Sequence, residues 1–155
     1  MQSLPLNPKY KENVKEELDK VIAIGIIEHD EESEWVSPMV VQEKKEKGEI
    51  KICVDLRKLN DACLHNPFPT PFTNEVVDNV GEQEAYYFTN DFSRYHQIRI
   101  APEDRHKMTF VIEWGSYQYT MMPFGLKNVH AIFSRVVIAV FNEYIHKFLE
   151  LYFHD

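Results

Sequence analysis

The apolar positions change rhythm several times along the chain, and each rhythm predicts an element. Near the start, Val14, Leu18, Ile22 and Ile26 recur at four-residue steps, the spacing of one helix face. Asn7 and Pro8 precede them, a capping residue and a proline suited to the first helical position, so an amphipathic helix is predicted up to Gly25 and the acidic run behind it. Residues 39–41 and 50–54 are short β-rich runs joined by a charged stretch containing Gly48, which reads as a hairpin with lysines at its tip. Pro67, Pro69 and Pro71 bar regular structure and predict an extended crossing, after which Thr73 caps a short helix through Val80 with Gly81 just past its end. Strand candidates follow at 86–89, 96–100, 108–114 and 117–121. The spacing then predicts a helix over 129–145 with Phe133, Val136, Val140 and Tyr144 inward, and a last apolar run at 148–153 reads as a strand. This order predicts an α+β fold in which a helix packs on an antiparallel sheet.

At 155 residues the chain suits one domain that buries roughly 70% of its unfolded surface. Its formal net charge of -8 is the wrong sign for a protein that draws affinity from phosphates, so any nucleic-acid contact has to be local. The basic stretch is Lys44, Lys45, Lys47, Lys51, Arg57 and Lys58, broken by Glu46, Glu49 and Asp55. Cys53 and Cys63 have neither a C-x-x-C spacing nor histidine company, which points to a reduced, intracellular setting without a zinc site. No run approaches the ~18 apolar residues of a membrane span, and the start lacks a signal pattern, so no membrane partner is expected. His146, Glu150 and His154 would share a face if helical, but the strand reading of 148–153 scatters them and argues against a metal site there.

Blocks of sequence narrow the reading further. Trp35-Val36-Ser37-Pro38, Cys53-Val54-Asp55-Leu56-Arg57-Lys58-Leu59-Asn60, Pro67-Phe68-Pro69, Tyr95-His96-Gln97-Ile98, Met122-Pro123-Phe124-Gly125-Leu126-Lys127-Asn128 and Ala131-Ile132-Phe133 stand in one family's order. From about Asn7 to Asp155 the chain resembles the reverse transcriptases, RNA-directed DNA polymerases, of gypsy-type long-terminal-repeat retrotransposons. The resemblance implies a fragment of the polymerase right hand: a fingers β-hairpin with helices at about 7–70, and a partial palm with an antiparallel sheet packed on helices at about 71–155. Thumb, connection and ribonuclease H segments are expected to be absent. It implies an RNA template, a DNA primer and deoxynucleoside triphosphates as partners, with pairing to an intact polymerase left open.

The resemblance also assigns residues. Nucleotide addition is an in-line displacement in which two divalent ions bridge the primer hydroxyl and the nucleotide phosphates, and Mg²⁺ requires oxygen ligands. By resemblance the catalytic and metal-binding positions are Asp91, His154 and Asp155, the family having Asp where His154 stands. An imidazole there removes a negative charge and offers nitrogen, which suits zinc, copper or nickel better than magnesium. Only Phe92, Ser93 and Arg94 separate Asp91 from Tyr95, one residue fewer than the family usually has. Either Asp91 is turned to the wrong face, since a one-residue slip reverses a strand side chain, or the loop after it is shortened to compensate.

Lys44 and Lys51 match the fingers positions that hold the triphosphate, the competing reading being two exposed hairpin lysines. Tyr95 matches the aromatic that excludes a ribose 2′-hydroxyl, against a core tyrosine; Phe124 and Gly125 match the loop beside the nucleotide, against a turn that only packs. His130 replaces the family's proline at the start of a helix, which puts template contact in question. The expectation is a reverse transcriptase homologue without catalytic activity. The alternatives are a module that binds nucleic acid or a polymerase without catalysis, and a relic that does not fold.

Overall fold

In a computed structural model the chain divides into two compact units, Met1–Cys63 with Tyr95–Leu126 and Leu64–Arg94 with Lys127–Asp155. The structure describes residues 7–30, 33–43, 50–69, 73–81, 84–85, 87 and 94–153. Side chains at 42–43, 50–51, 73 and 94 are not described.

The first unit opens with a 3-10 turn, Pro8–Tyr10, whose Asn7 side chain accepts from the Lys9 N–H at 3.1 Å. Helix α1, Lys11–Ala23, continues from it and buries Val14 and Leu18. Gly25 adopts φ 76 directly after the helix, a left-handed conformation that costs glycine little, and the Ile26 N–H returns to the Val21 carbonyl. Ile26, fourth in the apolar series, therefore lies past the helix and packs on the core from the following segment.

Strands β1 (Ile27–His29), β2 (Val36–Glu43), β3 (Ile50–Val54), β4 (Thr109–Ile112) and β5 (Gly115–Tyr119) form one sheet in the order β1-β5-β4-β2-β3. The pairings are antiparallel except β2 with β4. The predicted hairpin is present as β2 and β3, with Met39 opposite Val54 and Glu43 opposite Ile50. Strand β2 begins earlier than the apolar run, because 36–38 pair with β4 while 39–43 pair with β3. Pro38 sits at that change of partner, where a strand tolerates a missing N–H. Leu18, Ile27, Phe110, Ile112 and Tyr117 join α1 to the sheet as a core, with Trp114, Met39 and Val54 packed around it. Phe110 is stacked with Tyr117 at 6.0 Å. Helix α2, Arg57–Ala62, buries Leu59.

The 96–100 strand is not formed as predicted. Arg94–Gln97 is a 3-10 turn closed by the Ile98 N–H on the Tyr95 carbonyl, and only 98–100 run extended beside 120–122. A short helix α4, Pro102–Arg105, leads back to β4.

In the second unit, helix α3 spans Thr73–Val80 as predicted, and helix α5 spans Val129–Phe141, four residues short of 145. Its inward series holds only at its start. Val129 and Phe133 are buried, whereas Val136, Val140 and Tyr144 on the same stripe are 41%, 64% and 44% exposed. The 148–153 strand is also absent: the Tyr144 carbonyl accepts N–H groups from Lys147, Phe148 and Leu149, and His146 at φ 62 closes on Leu149. Backbone groups satisfied within one turn leave none for a sheet ladder. The 86–89 candidate lies mainly outside the described residues. The architecture is mixed α+β.

Candidate functional site

Phe124 and Gly125 lie on the loop that follows β5, beyond the buried Met122 and Pro123. Gly125 has φ 94, so this turn favours a residue without a side chain, and its carbonyl accepts from Asn60 Nδ2 at 2.7 Å. That hydrogen bond runs from α2 and anchors the loop. Phe124, half exposed, meets Tyr95 edge-on at 5.1 Å and His96 edge-on at 5.4 Å. Burial pushes the His96 imidazole below its ordinary pKa, towards the neutral form. Tyr95, Phe124 and Gly125 are thus brought together.

The cations at the start of α2 are committed locally. Arg57 grips Asp55 through Nε at 2.9 and 3.0 Å, and this hydrogen bonding holds the Asp55 carboxyl well down, at about 2. The Lys58 ammonium stands 5.5 Å over the Trp35 ring, a cation–π contact. Lys51 lies in β3 opposite Gln42, its side chain undescribed, and Lys44 lies outside the described residues.

The second unit holds a strap that sequence reasoning missed. Asn128 Nδ2 donates to the Leu64 carbonyl at 2.7 Å and its Oδ1 accepts from the Asn66 N–H at 3.0 Å. Arg135 donates to Asn66 Oδ1 at 2.9 Å and lies 5.3 Å over the Phe68 ring. The proline-rich crossing is therefore fastened to the start of α5 at several points. A cavity of about 510 Å³ opens beside it, lined by His65, Phe68, Lys127 and His130 among others, with no carboxylate among the described residues of its wall. An asparagine before a helix signals a cap, and here its side chain makes no capping bond because it serves the crossing instead.

Asp91, His154 and Asp155 lie outside the described residues. Among the described residues no group of three or more His, Cys, Asp or Glu could hold a metal ion. His146 Nδ1 meets Glu150 Oε1 at 3.0 Å and Asn79 Nδ2 at 3.3 Å, so this pair is occupied by protein groups. No helix among the described residues is long and apolar enough to cross a membrane.

No family model matches the chain. It is 31% identical over 147 residues to the retrovirus-related Pol polyprotein from transposon gypsy of Drosophila melanogaster, covering 92% of this chain and 14% of that protein. It is 32% identical over 106 residues to an RNA-directed DNA polymerase homolog of Oenothera berteroana, covering 68% of this chain and 75% of that protein. Among solved structures it matches prototype foamy virus protease-reverse transcriptase over 98% of its length and 20% of that chain, with TM-score 0.75 at 21% identity. A foamy viral protease-reverse transcriptase in complex with an RNA/DNA hybrid matches with TM-score 0.76 at 14% identity. The structural likenesses establish the fold, and the chain spans about a seventh of the Drosophila polyprotein it matches. With the Oenothera relative covered over three quarters of its length, the chain belongs to the reverse transcriptase (RNA-directed DNA polymerase) family.

Proposed function

We propose that this chain is the fingers and partial palm of an RNA-directed DNA polymerase in a copy that no longer catalyses nucleotide addition. The fingers-like part is about 7–70 and the palm about 71–155. Its ancestral partners are an RNA template, a DNA primer and deoxynucleoside triphosphates, in keeping with the solved relative bound to an RNA/DNA hybrid. The observation that carries the loss of activity is His154 at the position of a family aspartate. A donor set of Asp91, His154 and Asp155 does not fit a pair of magnesium ions, because one hard carboxylate oxygen is exchanged for a nitrogen and the site loses a negative charge. The spacing before Tyr95, one residue shorter than the family usually has, supports the same reading.

Purified chain, shown to be folded, should give no primer extension on an RNA template with a DNA primer in Mg²⁺ or Mn²⁺. His154→Asp alone should not restore it, since the Asp91 segment keeps its shortened spacing. Extension by the unaltered chain would overturn the reading of the site; extension by the single variant would overturn the part assigned to Asp91.

A second reading, nucleotide or nucleic-acid binding without catalysis, is favoured by the assembled Tyr95, Phe124 and Gly125 loop. Lys44 and Lys51 would complete it as phosphate contacts. Salt-dependent retention of a labelled RNA–DNA duplex would support it, and no binding at low salt would remove it.

A further inference from the structure

We propose that His96 is a positioning residue: its imidazole, edge-on to Phe124, fixes the ring face that Phe124 presents to an incoming nucleotide. The inference deepens the nucleotide-binding reading and rests on it. Phe124 is half exposed on a loop whose next residue is a left-handed glycine. Two rings of the turn before it flank its side chain. Tyr95 and His96 approach at interplanar angles of 69° and 73°, the edge-to-face geometry in which a ring's positive rim meets another's negative face.

The turn Arg94–Gln97 makes this double contact possible. In an extended strand, consecutive side chains point to opposite faces, and only one of Tyr95 and His96 could reach Phe124. The helical turn brings both to one ring. Burial keeps the imidazole towards its neutral form, so it can stand against an aromatic face as a ring rather than as a solvated cation. Asn60 holds the loop backbone through Gly125 while His96 and Tyr95 hold the side chain, and these are separable restraints.

The test compares the chain with His96→Leu and His96→Phe, all checked for folding by the signals of the Phe110 core. Aromatic NMR should show His96–Phe124 cross-relaxation in the unaltered chain, and its absence would overturn the proposal without any variant. His96→Leu should broaden or move the Phe124 ring signals, and His96→Phe should restore a single set; unchanged signals in His96→Leu would also overturn it. Titration with dTTP and Mg²⁺ then reads the consequence. His96→Leu should bind about two- to tenfold more weakly, the scale of one aromatic pair, with recovery in His96→Phe. A chain that binds dTTP equally well with leucine at 96 refutes the positioning role alone. A chain that binds no dTTP while its Phe124 ring is ordered refutes the nucleotide reading and, with it, the part of the proposal that concerns nucleotide.

Discussion

The two units treat the same kind of apolar stripe differently. In the first, Val14 and Leu18 of α1 are 0% and 2% exposed, and the strands supply Ile27, Phe110, Ile112 and Tyr117 to complete a closed core. In the second, α5 is the more apolar helix by sequence, with His130, Ser134 and Arg135 to interrupt it, yet its stripe is covered at Phe133 and open at Val140. A periodic pattern records which face seeks cover, and burial depends on what the rest of the fold brings to that face. In the first unit the Phe124 loop therefore stands on a finished core. In the second, the α5 end nearer the cavity is the covered end.

Substitution in each unit sets the largest effects against each other. Phe110→Ala removes a ring that is 1% exposed and should cost about 3 to 5 kcal/mol of unfolding free energy. Val140→Ala, on a side chain already 64% exposed, should stay within about 0.5 kcal/mol. Both tryptophans, Trp35 and Trp114, lie in the first unit, so tryptophan fluorescence in a denaturant titration reads that unit, and backbone hydrogen exchange along α5 reads the other. Equal losses for the two variants would break the comparison.

The strap supplies the intermediate effect. Asn128→Ala leaves the Leu64 carbonyl and the Asn66 N–H without their side-chain partner, a cost of about 0.5 to 1.5 kcal/mol in the second unit because water can reach these groups. Faster hydrogen exchange at Asn66 and at the start of α5, with the tryptophan transition unmoved, is the expected result. A shifted tryptophan transition would mean that the two units unfold as one and would remove the basis for treating their stabilities separately.

How much of this was legible in the sequence differs between the same two regions. The 39–54 hairpin, α1 and α3 were legible because each carries its own punctuation in the sequence: Gly48 between the two apolar runs, Asn7 and Pro8 before the helix, Gly81 after. Tyr95, Phe124 and Gly125 could be singled out only through resemblance; in the structure the Tyr95 ring meets Phe124, and Gly125 follows in the same loop. His96 was misread as strand, since its β-like neighbours gave no sign that the Tyr95 carbonyl would close a 3-10 turn. Asn60 and Asn128 were missed for a common reason. Each acts on backbone about 65 or 64 positions away, a contact that no local pattern encodes. The open half of the α5 stripe was likewise invisible to periodicity, which returns the same signal for covered and uncovered faces.

The smallest effect is electrostatic and tests how far the first unit's order extends to its surface. Arg57 holds Asp55 at about 2 against 3.8 for an ordinary aspartate, so the folded chain keeps this carboxylate charged where the unfolded chain protonates it. A depressed folded pKa contributes stability that is fully present above 3.8 and is lost as pH falls through about 2. Asp55→Asn should therefore flatten the acid limb of the tryptophan-detected stability curve between those values and leave stability near neutral pH slightly lower. Because the pair is exposed, added salt should shrink the difference between the two proteins, with a Debye length near 3 Å in ~1 M salt. An acid limb unchanged by the substitution would mean that the Asp55–Arg57 fork opens in solution.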